Sequence, residues 1–262
     1  MYRILQTGRT GLEALQKKMD TISNNIANVQ THGYKGMEVQ FEDLVYDEVA
    51  NKGVPLSQEA REKPIEIGTG SRVKSTERRF IQGILEETTY PYHLAIEGEG
   101  FFGVQDANGE TYLTRDGGFT LDSQGQLVDS RGNHVIMDTY SPLSQWSKNG
   151  IVINEAGVVS GLDDIGQPVE IGSIRLFNVP DKSILISKGD NYFSTENLEV
   201  IYTNENINED WGSIHQGYLE KSSVNIGKEL VDMLVTQRAY QINTKSIHSA
   251  DEMWSMVNQL KR

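Results

Sequence analysis

Apolar side chains recur along the start of the chain with the spacing of a single helix face. The intervals between them are seven, three, four, three, four and three residues, at Leu5, Leu12, Leu15, Met19, Ile22, Ile26 and Val29. This alternation of three and four is typical of a coiled-coil seam, and no proline interrupts it. Gly33 is a suitable C-terminal cap, so the pattern predicts a helix from about residue 3 to about residue 30.

A second seam occupies the end of the chain. Its intervals are again three and four residues, at Val231, Val235, Ala239, Ile242, Ser246, Ser249, Met253, Met256 and Leu260. Ser223 or Asn225 would cap the N-terminus of this helix. Two arrangements are open: the helices pack within one monomer, or they pack against other copies. The position of both seams at chain ends favours assembly.

Between the seams, short apolar alternations are separated by glycine-containing turn sequences. From about residue 96 to about residue 215 these turns recur, as in DANG at 106–109. The pattern predicts a mainly β central domain of short antiparallel strands. Residues 37–95 fit a short helix or an extended arm, and residues 51–64 indicate a loop or a segment that becomes ordered only against a partner. The expected segments are an N-terminal assembly helix with a signature motif (1–36), an extended arm and loop region (37–95), a β-rich domain (96–215) and a C-terminal assembly helix (216–262).

The composition excludes several classes of function. The chain has 262 residues and no cysteine, which excludes disulfides and thiolate metal sites, and its five histidines show no metal-ligand spacing. A formal net charge of −13 argues against a general nucleic-acid-binding protein. The acidic residues are concentrated in residues 37–220, which carry 13 basic and 31 acidic side chains. No apolar stretch is long enough to span a bilayer, and residues 1–11 lack the apolar core of a secretory signal.

No set of residues indicates catalysis or cofactor binding. The G-x-G at residues 98–100 lacks the third glycine of a dinucleotide-binding loop, so a tight turn into a strand is favoured. The acidic pairs at 86–87 and 163–164 fit solvated turns better than a general acid and base. We therefore predict no catalytic, cofactor-binding or metal-binding residues, and a protein that is not an enzyme. The alternatives are an enzyme with a β-barrel or sandwich body and a monomeric surface-binding module.

Residues 22–35, ISNNIANVQTHGYK, resemble the N-terminal signature of flagellar rod and hook proteins. Further family-like pieces are FEDL at 41–44, IGTG at 67–70, AIEGEGFF at 95–102, YLTRDGGF at 112–119, QGYLEKSSVN at 216–225, ELVDML at 229–234 and QRAYQIN at 237–243. The resemblance covers essentially the whole chain. Within the family, length and motifs are most similar to the distal rod members, with proximal rod members and hook-like axial proteins as alternatives.

The resemblance implies a structural subunit that polymerises into the hollow helical drive shaft of the flagellar basal body. The terminal helices would form an inner coiled-coil layer, remain unpaired in the free chain and fold on assembly, and the β-rich domain would lie outside them. The implied partners are other copies of the chain, proximal rod and hook proteins, the rings around the rod and the flagellar type III export apparatus, with no nucleic acid and no membrane span. The implied location is the basal body in the cell envelope (periplasm or cell wall), reached without a cleaved signal peptide.

The seams and the asparagines of the signature together make up the expected assembly interface. Its members are Leu5, Leu12, Leu15, Met19, Ile22, Asn24, Asn25, Ile26, Asn28, Val29, Val231, Val235, Ala239, Ile242, Met253, Met256 and Leu260.

Overall fold

The structure, a computed structural model, describes most of the chain. The described residues are 2–44, 46–48, 66–68, 70–140, 151–162, 168–194, 201–202 and 211–260. The loop expected at residues 51–64 lies outside them. The chain divides into two compact units. Unit 1 comprises Met1–Ala27, Met37–Arg79 and Asn225–Arg262, and unit 2 comprises Asn28–Gly36 and Phe80–Val224.

Unit 1 contains two long helices and a narrow β-ribbon. Helix α1 spans Tyr2–Ala27 and helix α2 spans Ile226–Leu260. The strands of this unit are β1 (Met37–Asp43), β2 (Tyr46–Glu48), β3 (Glu66–Gly68) and β4 (Ser71–Arg78). Strand β1 pairs antiparallel with β4 and β2 pairs antiparallel with β3, while β1 and β4 also contact α1.

Asn225 caps the start of α2, as the sequence predicts for this position or Ser223. Its side-chain oxygen accepts a hydrogen bond from the Lys228 N–H at 3.1 Å, and its carbonyl accepts one from the Glu229 N–H at 3.0 Å. These bonds satisfy backbone donors that the first turn of a helix would otherwise leave unpaired. Helix α1 ends at Ala27, a few residues before the predicted end.

Unit 2 is built from short strands. They are β5 (Leu85–Glu87), β6 (Leu94–Glu97), β7 (Phe101–Gln105), β8 (Thr111–Thr114), β9 (Thr120–Leu121), β10 (Leu127–Val128), β11 (His134–Val135), β12 (Met137–Thr139), β13 (Val152–Ile153), β14 (Val158–Leu162), β15 (Pro168–Ile174), β16 (Leu176–Asn178), β17 (Ile186–Gly189), β18 (Tyr192–Ser194), β19 (Ile201–Tyr202), β20 (Ser213–Gln216) and β21 (Tyr218–Glu220). A single 3₁₀ turn among the described residues, Lys182–Ile184, precedes β17.

The strands of unit 2 pair antiparallel in two larger sheets and two ribbons. The larger sheet has the order β17-β18-β8-β7-β11-β10-β9, with β16 joining β7 to β19. The second sheet has the order β12-β15-β14-β13, and the ribbons pair β20 with β6 and β21 with β5. The β20–β6 and β21–β5 ribbons bring the segment that precedes α2 next to residues 85–97.

The hydrophobic core of unit 2 covers both faces of β7. Phe102 packs in the larger apolar cluster, whereas Phe101 packs in a smaller cluster with Phe177 and Phe193. Neighbouring side chains of a strand point to opposite faces, so a run of apolar residues predicts a strand buried on both sides. Burying each such side chain contributes about 1.5–3 kcal/mol.

Several hairpins of unit 2 share one turn structure, which explains why an Asp or Asn is followed three residues later by a glycine in these turn sequences. An Asp or Asn side chain accepts a hydrogen bond from the N–H two residues later, and a glycine three residues later donates to the same residue's carbonyl. These glycines have φ values of 86°, 86°, 85° and 81°, which other residues rarely adopt. The pairs are Asp106 with Gly109, Asp122 with Gly125, Asp129 with Gly132, and Asn154 with Gly157.

The mainly β centre with antiparallel strands and a helix at each end confirms the coarse fold prediction. Between the two arrangements considered for residues 37–95, the described part is extended, because β1 and β4 form a ribbon. A register shift between Gln40 and Phe41 interrupts the pairing of that ribbon. None of the described helices is both long and apolar enough to cross a bilayer.

Candidate assembly site

The two helices of unit 1 run antiparallel and approach closely at glycine. A β-carbon at Gly8 would lie 2.8 Å from Ile247 Cγ1, and a β-carbon at Gly11 would lie 2.8 Å from Asn243 Nδ2. The Asn243 side-chain amide donates a hydrogen bond to the Gly8 carbonyl at 3.0 Å. A β-carbon at either position would therefore displace the Ile247 or Asn243 side chain that packs against it.

This pairing corrects the expectation that the helices remain unpaired in the free chain. The structure pairs α1 with α2 inside one chain, because glycines on α1 let the helix backbones come together. The face of α2 that contacts α1 includes Asn243 and Ile247, and the buried Thr236 and Ala250. The predicted apolar seam of α2 lies on another face.

Asn25 of the signature motif joins three elements of unit 1. Its side chain accepts a hydrogen bond from the Met37 N–H at 2.9 Å and donates one to the Met37 carbonyl at 2.8 Å. It also donates to Glu229 Oε1 on α2 at 3.3 Å. Asn25 is 2% exposed, so its described contacts fix the start of β1 against the two helices of its own chain.

The expected interface positions of α1 and the residues that follow it are mostly covered within the chain. Ile22 and Asn25 are 5% and 2% exposed, Asn24 is exposed, and the remaining positions are half-buried. Those half-buried positions are Leu5, Leu12, Leu15, Met19, Ile26, Asn28 and Val29.

The expected interface positions of α2 are exposed, apart from the half-buried Ala239. Their exposed fractions run from 43% at Met253 to 88% at Leu260. The remaining members of this exposed set are Val231, Val235, Ile242 and Met256. A contiguous apolar face of this kind marks an interaction surface more often than a solvated one.

An open groove in unit 1 lies beside the helix pair and has a volume of about 580 Å³. Among the residues that the structure describes, none that lines this groove carries a charge. A β-carbon at Gly70 would clash with the Thr10 hydroxyl, so Gly70, just before β4, packs tightly on α1 and forms one wall. The residues that line this glycine groove are Ile4, Thr7, Gly8, Gly11, Gly68, Gly70, Ser71, Asn243, Ser246 and Ile247.

Unit 2 contains a buried ion cluster, which we define as Lys35, Arg115 and Glu220. Their side chains are 2%, 6% and 1% exposed. Lys35 Nζ lies 2.6 Å from Glu220 Oε1, and Arg115 Nη1 lies 3.4 Å from Glu220 Oε2. The Gly83 N–H also donates to Glu220 Oε1 at 2.7 Å. The carboxylate of Glu220 therefore binds two buried cations and a backbone N–H.

Burial has the largest influence on the pKa values of Lys35 and Arg115. It lowers the pKa of Lys35 and the pKa of Arg115, and the charge of Glu220 opposes both changes. Backbone carbonyls accept two further hydrogen bonds: Lys35 donates to the Ile81 carbonyl at 2.9 Å, and Arg115 Nη2 donates to the Gly98 carbonyl at 2.7 Å. A buried charge is tolerated only with partners of this kind.

The buried ion cluster also fixes where the chain enters and leaves unit 2. The Gly33 N–H donates to the Glu220 carbonyl at 2.8 Å, and the Ser223 N–H donates to the Tyr34 carbonyl at 3.1 Å. The Gly36 N–H donates to Ser223 Oγ at 3.1 Å. The segment that follows α1 and the segment that precedes α2 are therefore bonded side by side.

Two further titratable side chains of unit 2, His93 and Asp116, lie near His32 of the signature motif. Burial and then the nearby His32 lower the pKa of His93, and burial raises the pKa of Asp116. A hydrogen-bond distance of 3.0 Å joins His93 Nδ1 to Thr88 Oγ1, and that hydroxyl donates to the Gly217 carbonyl. In the part of the chain that the structure describes, no three His, Asp or Glu side chains are grouped to hold a metal.

Lys35, Arg115 and Glu220 lie in the family-like segments 22–35, 112–119 and 216–225, but no pattern in the sequence assigns them a role. A charged residue inside an otherwise apolar or glycine-rich motif is the signal that could have indicated burial with a partner. The sequence pattern also assigns no role to Gly11 and Asn243, because small and polar residues leave no hydrophobic pattern, and Ile247 lies outside the predicted seam.

Family models match three separate segments of the chain. Residues 5–35 match the "Flagella basal body rod protein" model, and residues 95–161 match the "Flagellar hook protein FlgE/F/G D1 domain" model. Residues 215–260 match the "Flagellar basal body rod FlgEFG protein C-terminal" model. Two segments fall on the terminal helices and one on the β-rich centre, so the fold and the motifs define the class of flagellar rod and hook proteins.

Relatives cover the whole length of the chain. The "Flagellar basal-body rod protein FlgG" of Borreliella burgdorferi is 36% identical over 100% of both chains. The protein of the same name from Buchnera aphidicola subsp. Schizaphis graminum is 40% identical over 99% of this chain and 100% of its own, and that of Bacillus subtilis is 31% identical over 100% of both. The chain belongs to the flagellar basal-body rod protein family.

Proposed function

We propose that this chain is a structural subunit of the distal part of the flagellar basal-body rod. Copies polymerise into a hollow helical drive shaft for motility, with the terminal helices as a coiled-coil assembly layer and no enzymatic activity. Family membership and full-length similarity to proteins named FlgG support the rod subunit over a hook-like axial protein. Export by the type III apparatus without a cleaved signal, contacts with proximal rod, hook and ring proteins, and a location in the cell envelope belong to the same proposal.

The observation that carries the proposal is the uncovered apolar face of α2. Its side chains are between 47% and 66% exposed in the single chain. Most recur at intervals of four residues, so they share one side of the helix. The members are Ile226, Leu230, Val231, Leu234, Val235 and Ile242.

The helix pair supports an open polymer over a closed dimer. The contact between α1 and α2 uses one face of α2 within the chain, and the apolar face of α2 is left for another copy. If that face meets a different surface of the neighbour, the contact repeats without closing and builds a helical filament. The seventeen interface positions predicted from the sequence are part of this proposal, and the exposed positions on α2 are the most important of them.

The test is Ile242→Asp, at a residue that is 66% exposed. We expect loss of polymerisation, measured by sedimentation and electron microscopy, because a carboxylate on the apolar face cannot be buried without a partner. The protection of β7 amides from hydrogen exchange should stay within about 0.5 kcal/mol of wild type, since the substitution is at the surface. Thr244→Asp is the matched control, because it adds the same charge at an exposed polar position of the same helix. Wild-type polymerisation by Ile242→Asp would overturn the proposal.

Ile22→Asp tests the same proposal from the other helix. Ile22 is 5% exposed inside unit 1, so its replacement should loosen the helix pair as well as abolish polymerisation. Hydrogen exchange separates the two effects: α1 and α2 amides lose protection with Ile22→Asp and keep it with Ile242→Asp.

A further inference from the structure

Helix α2 continues past its contact with α1. Ala250 is 1% exposed, whereas every residue from 251 to 260 is exposed. Residues 253–260, which we call the terminal segment of α2, carry no charged side chain and no glycine or proline. The segment therefore projects as a straight, uncharged helix end about 12 Å long.

The terminal segment has one apolar side. Met253, Trp254, Met256, Val257 and Leu260 fall within half of the helix circumference, and each is at least 43% exposed. The serine, asparagine and glutamine of the segment lie on the other side. An exposed tryptophan among flexible methionines is a typical anchor for a protein interface.

The glycine groove is the complementary surface within the same unit. None of its described lining residues is charged, four of them are glycines, and Ile4 and Ile247 contribute apolar side chains. A second groove on α2 has a volume of about 460 Å³ and is lined in part by Arg238 and Lys245. An uncharged apolar helix would have to desolvate those two cations to enter the second groove, so the glycine groove is the better match.

The terminal segment cannot reach the glycine groove of its own chain. Asn243, Ser246 and Ile247 of the same continuous helix line the groove, and no glycine or proline between them and residue 253 allows α2 to bend back. If the terminal segment fills such a groove, the groove must therefore belong to a different molecule.

We propose that the terminal segment of α2 docks into the glycine groove of a second copy of this chain. The proposal rests on the proposed function, which brings copies together in a polymer. Each copy then offers one segment and receives one, so the contact is heterologous and propagates in one direction. Trp254 is the anchor, and burial of its ring between α1 and Gly70 orders the end of α2.

The test uses the absence of cysteine from the chain. Ser246→Cys lies in the groove, and Met256→Cys lies on the apolar side of the terminal segment. The two positions are ten residues apart on one helix, or about 15 Å, which exceeds the roughly 7 Å that a disulfide can span between Cα atoms. A disulfide between them must join two copies.

Mild oxidation of the assembled double variant should give a ladder of covalent multimers on a non-reducing gel. Each single variant alone should give none, and a mixture of the two single variants should stop at dimers. Lys245→Cys paired with Met256→Cys is the control, because Lys245 lines the other groove, and it should give no ladder.

Filaments that form without a ladder, or a ladder from the control pair alone, would overturn this docking while leaving the proposed function intact. Wild-type chain that never polymerises would overturn both. If the double variant itself fails to assemble, Trp254→Ala decides the matter: it should raise the critical concentration for polymerisation at least about tenfold, and Asn258→Ala should leave it unchanged. An unchanged critical concentration for Trp254→Ala would contradict the docking.

Discussion

Unit 2 buries charges, whereas unit 1 exposes hydrophobic side chains. In unit 2, Lys35, Arg115 and Glu220 are almost wholly removed from water, and one another's charges and backbone groups compensate them. In unit 1, Val235 and Ile242 are 59% and 66% exposed on a helix whose other face is already used. In unit 2 the buried cations and carboxylate compensate one another's charges, and in unit 1 the apolar face of α2 stays exposed among the described residues.

Because of this difference, the stabilities of the two units should depend differently on the protein concentration. Binding that covers a surface stabilises the folded form by mass action. We therefore expect unit 1 to gain stability when copies associate, and unit 2 to be nearly as stable in the monomer as in the polymer. Substitutions inside each unit can test this contrast, because hydrogen exchange reports the stability of β7 and of α1 separately.

The largest effect is expected from Glu220→Gln. The substitution leaves Lys35 and Arg115 buried without a counter-charge, and breaking a buried pair costs about 3–5 kcal/mol. Hydrogen exchange of the full chain should show that loss at β7 and β8 amides, with a smaller change along α1 and α2.

Glu86→Gln is the control for this substitution. Glu86 pairs with Lys221 at 3.0 Å, but both side chains are about half exposed. Surface pairs contribute about 0–1 kcal/mol, so the protection of β7 should barely change. Equal losses for the two variants would mean that the buried ion cluster contributes nothing beyond a surface pair.

A smaller effect in the other unit is expected from Gly8→Val. Added carbon atoms would overlap Ile247 and separate the helices, at a cost of about 1–3 kcal/mol for overpacking. Protection should fall along α1 and α2 and remain at β7, the reverse of the pattern for Glu220→Gln.

Gly227→Ala is the matched control on the partner helix. Only the Asn225 side-chain oxygen, at 3.4 Å, lies near an added β-carbon there. Alanine favours helix by up to about 1 kcal/mol over glycine, so this variant should be neutral or more stable. If both glycine variants lost protection alike, close packing at Gly8 would not explain the pairing of the helices.

Local sequence patterns predicted the elements of this fold better than their partners. Turn sequences such as DSQG at 122–125 predicted hairpins, because the side chain of Asp122 and the positive φ of Gly125 build the turn without help from elsewhere. The capped start of α2 at Asn225 is equally local. Residues 37–95 left a choice between helix and arm, because the pairing of β1 with β4 depends on residues far apart in the chain.

Two contacts were beyond local pattern reasoning. Lys35 and Glu220 are separated by 185 residues, and no periodicity links them. On α2, the apolar seam is the stronger pattern, but the intrachain contact uses Asn243 and Thr236, which hydrophobic periodicity does not register. The sequence therefore predicted that α2 packs against a helix, but the structure places the intrachain contact on another face of α2 and leaves most of the seam exposed.

The smallest effect is a pH dependence that belongs to unit 2 alone. Burial and His32 lower the pKa of His93 below its ordinary value of 6.5 in the folded chain. The unfolded chain then binds more protons than the folded chain just below that pH. The sign of the linkage follows: stability is fully present above about 6.5 and is lost as the pH falls.

His93→Gln should therefore flatten the stability profile of β7 amides between about pH 7.5 and 5.5, and the profile of α1 amides should not change. His134→Gln, an exposed histidine of β11, is the control and should keep the wild-type slope.

Asp116 works in the opposite sense, because burial raises its pKa and acidification relieves the cost of its charge. Asp116 is present in both proteins, so the difference between wild type and His93→Gln reports His93. A steeper slope in His93→Gln than in wild type would contradict the assignment, since a histidine that gains protons on folding would stabilise unit 2 in acid.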